Sequence, residues 1–324
     1  MENRAETHAN NTIATAAIAA NPYAKCLANA QKVNWDIDRD VIRFRTLDTR
    51  HKYLPDSLSK VNELHFLSTA EQVFLSQIQG RTYAYIFALA ERCINAKIME
   101  LGRDHALGDQ TALSALIQFS QEELKHQQLF ERLEAMAAAA MPAGYRMTAD
   151  PNDVAGFMLS RSSWAFMGLS CDIEIFTQSH YKQSIQDDEN LSPLYKDVFR
   201  YHWMEEAQHA TLDELEWQRI HETLTPDEVE QGVNDLIELV QGFDQVLQGQ
   251  AEADAAYFIE SSQRHFPRDQ KQQIHHGVLK AYRWQYIVSG VLIERFQRQL
   301  SSKISAQQLQ RINTALQPLI EFVG

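Results

Sequence analysis

The chain has 324 residues, 44% of them hydrophobic, which is enough for a sizeable core in one large helical domain. A net charge of −13 argues against a nucleic-acid-binding surface. The three cysteines, Cys26, Cys93 and Cys171, are odd in number and form no CxxC, which argues against a zinc knuckle or a disulfide framework and favours a reducing cytoplasm.

Residues 1–33 read as a flexible or loosely docked arm. The start has no basic stretch followed by a strong apolar run, so a signal peptide is not expected. No uncharged apolar run is long enough to suggest a membrane span. Pro55, Asp56 and Ser57 mark a loop within an irregular region from about 34 to 66. Ser68-Thr69-Ala70-Glu71 has the pattern of a capping box and opens a helix to about Leu101. Gly102, Asp104 and Gly108 break it, and a second helix runs from about Asp109 to Ala140, with Leu113, Leu116, Ile117, Leu124, Leu129 and Leu133 at helical spacings. After a loop at Pro142, Gly144 and Pro151, the pattern predicts a third helix over 152–186 and a fourth over 192–223, the latter opened by Ser192-Pro193. Thr225-Pro226-Asp227-Glu228 starts another helix, His265-Phe266-Pro267 interrupts, a helix follows over 268–301, and a last amphipathic segment spans 306–323. No strand alternation or short repeat is visible. The expected fold is all-α. A four-helix bundle at about 68–223 and extra helices at about 225–323 make one domain over 34–324.

The chain writes Glu-Glu-x-x-His twice, as Glu122-Glu123-Leu124-Lys125-His126 and Glu205-Glu206-Ala207-Gln208-His209. Glu and His three apart share a helix face, so each motif aims one carboxylate and one imidazole at one spot. A lone Glu-x-x-His is close to chance in a chain with 12 histidines, and a solvated charge pair is its ordinary meaning. Upstream context changes that. Glu91 precedes Glu123 by 32 residues, and Glu174 precedes Glu206 by the same 32. Each lies on the helix before a motif helix, among apolar neighbours where an unpaired carboxylate is costly. Two antiparallel hairpins would thus gather Glu91, Glu123, His126, Glu174, Glu206 and His209, the donor set of ferritin-like di-iron and di-manganese bundles. His202 lies four before Glu206 and seven before His209, on the same face, and is a candidate third imidazole. The first hairpin has Phe119 at the equivalent place.

The order Glu91, Glu123-x-x-His126, Glu174, His202-x-x-x-Glu206-x-x-His209 resembles the AurF-type di-iron N-oxygenases. The resemblance includes Trp35-Asp36 and covers roughly 34–300, and the extra histidine is its most specific element. It implies an O2-dependent non-haem di-iron enzyme that oxygenates the nitrogen of an aromatic amine through a peroxo-di-iron species, and a homodimer. Related di-iron oxygenases often carry an acid that holds a ligating histidine, a role that would fall to Glu122 and Glu205, with Asp172 a weaker candidate.

A carboxylate-rich donor set suits two iron ions cycling between Fe2+ and Fe3+, and manganese is compatible with it. O2 is the expected co-substrate and a small organic molecule the substrate. No GxGxxG is present, so electrons are expected from an external ferredoxin or reductase. Nucleic acid and membrane are not expected partners. Phe87, Phe119, Met167 and Cys171 are candidate pocket walls, with plain core packing as the alternative. The competing readings are a di-iron hydroxylase or desaturase of another small molecule, and a ferritin-like ferroxidase.

Overall fold

The computed structural model describes residues 21–324 of the chain. Twelve α-helices follow one another among these residues: α1 (Pro22–Ala30), α2 (Asp56–Ser59), α3 (Thr69–His105), α4 (Gln110–Ala140), α5 (Pro151–Leu159), α6 (Ser163–His180), α7 (Pro193–Thr223), α8 (Pro226–Ser261), α9 (Arg268–Arg283), α10 (Ser289–Val291), α11 (Glu294–Ser301) and α12 (Ala306–Val323). No strand forms among the described residues, and the all-α expectation holds.

Capping chemistry fixes where the long helices begin. Ser68 and Glu71 hydrogen-bond reciprocally at the start of α3, and Thr225 and Glu228 do the same at α8. The Asp109 carboxylate accepts from the Thr111 and Ala112 N–H groups at α4, and Pro193 opens α7 from the first turn. The hairpins α3–α4 and α6–α7 pack side by side, with α4 against α7 and α3 against α6, which makes the four-helix core. The helix α8 crosses α6 and α3, and α9, α11 and α12 pack onto the outside. Where α8 meets α6 the approach is close. A Cβ at Gly232 would lie 2.7 Å from the Trp164 ring, so only glycine admits that indole.

Several expectations need correction. The loop expected at Pro55-Asp56-Ser57 is in part helix α2, and α3 runs through Gly102 and Asp104 to His105. Residues 1–20 of the expected arm lie outside the described residues, but its remainder is not a loose arm. Pro22–Ala30 is helix α1, capped by Asn21 and packed on α4 and α7 through buried Cys26 and Ala30. The expected single helix over 152–186 is two. Its backbone breaks before Ser163 because the Ser162 N–H donates to Asp235 of α8 (2.8 Å), and the Ser162 hydroxyl caps a new helix by accepting from Ala165 N–H. The last turn of that region, Tyr181–Ile185, is π-helical. The expected helix over 268–301 is likewise interrupted. A π-helical turn at Trp284–Val288 leads into α10, and the extended backbone of Ile293 then redirects the chain into α11.

Candidate metal centre

The bundle helices bring the seven predicted residues together in its interior. Glu91 comes from α3, Glu123 and His126 from α4, Glu174 from α6, and His202, Glu206 and His209 from α7. None exceeds 4% exposure. The helix period sets the local arrangement, because each Glu-x-x-His pair lies on one inward face.

Glu206 Oε1 is the hub. It lies 3.3 Å from His126 Nδ1, 3.1 Å from His202 Nε2 and 3.5 Å from His209 Nδ1. Glu91 Oε1 lies 2.8 Å from His202 Nε2, and Glu123 Oε1 lies 3.0 Å from His209 Nδ1. Two overlapping groups result. Glu123, His126, Glu206 and His209 each offer a donor atom within 4.8 Å of the others, as do Glu91, His126 and His202. Glu174 stands outside both groups; its carboxyl lies against that of Glu206.

The two acids that lead the doublets cross between the hairpins. His209 of α7 donates from Nε2 to Glu122 of α4 (3.0 Å), and His126 of α4 donates from Nε2 to Glu205 of α7 (2.8 Å). With a metal bound, each acid would hold its imidazole as the Nε2–H tautomer and leave Nδ1 to face the centre. Gln118 in turn donates to Glu122 (2.8 Å), and Lys125 to Glu205 (2.6 Å). Asp172 is not part of this arrangement. It faces Gly290 on the other side of α6 and contacts none of the three histidines.

Two contacts at the centre go beyond what the sequence spacing predicts. The Trp35 indole stacks parallel to the His126 ring, at 6.0 Å and 7°. Lys125 lies 4.0 Å above that indole while it bonds Glu205. The lysine is visible inside the motif, but its reach to α7 is a tertiary contact that no spacing encodes.

The electrostatics describe a centre short of positive charge. Burial pushes the Glu91 and Glu174 carboxyls well above their ordinary range, and Glu123 to about 7. Burial also pushes His126 and His202 down to about 3. For His209 burial acts downward, but the facing Glu206, Glu122 and Glu123 outweigh it and hold the ring well above its usual range. Glu206 mirrors this: burial acts upward, and His202 and His209 hold it well below. Hydrogen bonding is also incomplete. Every one of the seven residues keeps a buried atom without a partner among the described residues: Oε2 of Glu91, Glu123 and Glu174, Oε1 of Glu206, and Nδ1 of His126, His202 and His209. Buried polar atoms are ordinarily satisfied, so the orphans of the four glutamates, His126 and His209, together with the inward Nε2 of His202, mark a place for cations. Oxygen and imidazole donors at this density fit a pair of divalent metal ions.

Beside the centre lies a cavity of about 390 Å³. Ile86, Leu89 and Ala90 of α3 and Leu169 and Ile173 of α6 form one side, so the cavity abuts the residues just before Glu91 and Glu174. The helices α5 and α8 close it with Phe157, Met158, Leu239 and Phe243. Its lining includes the exposed Asp150 and Asp153 and no lysine or arginine. The four predicted wall residues do not line it. Phe87 is packed edge-on to His202, Phe119 stacks on His209 at 4.0 Å, and Met167 and Cys171 are wholly buried in the core.

No helix among the described residues is long and apolar enough to cross a membrane. No curated protein matches the sequence. Among solved structures, the chain is similar to R2-like ligand-binding oxidase variants with an anaerobically reconstituted Mn/Fe cofactor. A variant in which phenylalanine replaces a tyrosine has a TM-score of 0.43 and 15% identity, covering 82% of this chain and 93% of that one. A variant in which alanine replaces a valine has a TM-score of 0.44 and 16% identity at the same coverage. Residues 20–237 match the family described as P-aminobenzoate N-oxygenase AurF. With the buried carboxylate and imidazole clusters inside the matched span, the protein is a di-metal oxidoreductase and belongs to the AurF family.

Proposed function

We propose that the protein is an O2-dependent N-oxygenase of a small aromatic amine, with Glu91, Glu123, His126, Glu174, His202, Glu206 and His209 as ligands of two iron ions. The observation that carries the ligand set is the gathering of these buried side chains, six of them with an unpartnered carboxylate oxygen or Nδ1 and the seventh, His202, with its Nε2 toward Glu91 and Glu206. The donors suit manganese as well, and iron is preferred for its redox reach. When bound, the metal pair supplies O2 activation and the electrons that pass to oxygen.

The protein's own residues do the rest. Glu122 and Glu205 hold the two imidazoles in the tautomer that presents Nδ1. The apolar cavity beside Glu91 and Glu174 holds the aromatic ring and excludes water from the reacting side. That cavity favours an organic substrate over iron storage or ferroxidase chemistry. Its aspartates, without a facing cation, favour an amine that carries no carboxylate. Electrons come from a separate ferredoxin or reductase, the compartment is the cytoplasm, and the working form is a homodimer.

The test is metal analysis followed by turnover. Two irons per chain are expected. The iron-loaded protein, supplied with reductant and O2, should convert uncharged anilines to hydroxylamine or nitro products detected by mass spectrometry, and p-aminobenzoate more slowly. Failure to form an N-oxygenated product across both groups of amines, from fully loaded protein, would remove the arylamine reading.

A further inference from the structure

A second cavity, of about 440 Å³, lies on the far side of α6 from the metal centre, bounded by α6, α8, α11 and α12. Its volume falls in the range of about 300–1,000 Å³ common for small-molecule sites. The walls are mostly aliphatic and aromatic, with Leu236, Val240, Phe296, Leu300, Ile312 and Leu316 contributing. One buried acid interrupts them. Asp172 lines this cavity, is 4% exposed, and its Oδ1 has no hydrogen-bond partner among the described residues.

The surroundings make room for that carboxyl without satisfying it. A Cβ on Gly290 would fall 2.6 Å from both of its oxygens, so the glycine clears the space in which they sit. The one basic side chain at the cavity, Arg298, is exposed and bonded to Glu294 at 2.6 Å. Asp172 makes no ion pair among the described residues, and the centre it adjoins in sequence is served by Glu174 on the opposite face of the helix. A buried acid in an apolar chamber, with no cation of its own, is complementary to a ligand that brings an apolar body and a cationic hydrogen-bond donor.

We infer that this chamber is a second ligand site that takes an apolar primary amine, anchored by Asp172. Leu169 lines both this chamber and the cavity beside the metals, so the two sites share a wall of one side chain.

The test uses the full-length, metal-loaded protein and two probes of one shape, hexylamine and hexan-1-ol, titrated calorimetrically near neutral pH. Hexylamine should bind roughly tenfold or more tightly than the alcohol, as a charge-assisted hydrogen bond predicts. Asp172→Asn should abolish that preference, and Leu300→Trp, which fills the chamber and leaves the acid in place, should weaken both probes. The absorption spectrum of the metal centre should not change on amine binding. Equal affinity for the two probes in the unaltered protein overturns the inference without recourse to any variant. So does amine binding that survives both substitutions or that perturbs the metal spectrum, since the amine would then sit elsewhere.

Discussion

The two hairpins of the bundle build the same half-site and then differ at one position. In each, a lone glutamate stands 32 residues before the second glutamate of a Glu-Glu-x-x-His motif, and each leading acid grips the other hairpin's histidine. In α4 the position four before the ligand-bearing glutamate is Phe119, whose ring stacks on His209. In α7 it is His202, whose Nε2 reaches Glu91 and Glu206. His202 also lacks the outer acid that serves its two counterparts. It is walled by Phe87 and Phe130, and its Nδ1 is unpartnered. Shared geometry thus makes a paired cation site, while one substitution within it gives the two halves different donors.

The largest break is expected at the hub. Glu206→Ala removes the oxygen that all three histidines face, and metal content should fall for both ions. The loss of affinity should exceed the roughly 10–100-fold that removing an outer hydrogen-bond partner costs. Elemental analysis checks this; retention of both metals would show that Glu206 is not shared. His202→Phe makes the second hairpin copy the first. It should spare the Glu123–His209 side while lowering kcat/KM by roughly tenfold or more, about 1.4 kcal/mol of transition-state stabilisation. Unchanged turnover in that variant would mean the third imidazole is packing only.

Smaller effects sharpen the comparison of the crossed acids. Glu205→Gln and Glu122→Gln should each weaken metal binding within about 10–100-fold, measured by chelator competition. The mildest change is Lys125→Met, expected to cost about 0.5–1.5 kcal/mol, the net worth of one hydrogen bond. Its pH signature has a definite sign. Burial raises the Glu205 carboxyl and Lys125 opposes that rise. Glu205 must be ionised to accept the His126 proton, so without Lys125 the acid limb of the activity profile should move to higher pH. An unmoved limb would detach Glu205 from the working state.

The sequence carries the centre because helical periodicity maps spacing directly onto a face. Glu91, Glu123, Glu174 and Glu206 pair by spacing alone, and Ser68, Thr225 and Pro193 announce their helices through local hydrogen bonding and fixed dihedrals. The division between α5 and α6 is not legible that way, since it depends on Asp235, 73 residues away in sequence. The cavity beside the centre is hidden for a similar reason: its cover is α8, whose path over α3 and α6 is a tertiary event. Helix α1 is a different case. Asn21-Pro22 is a cap followed by proline at the first helical position, a readable signal in a segment whose composition otherwise suggests an arm.

The stacking of Trp35 on His126 ties two events that the chain's order keeps apart. The proposed metal ligands all come from helices after residue 68, while the indole comes from the segment before them. A metal that holds the His126 ring would hold the platform on which Trp35 rests, and linkage makes any such coupling reciprocal. Any gain in metal affinity from that stack is therefore matched by an equal gain in docking of the segment when metal binds.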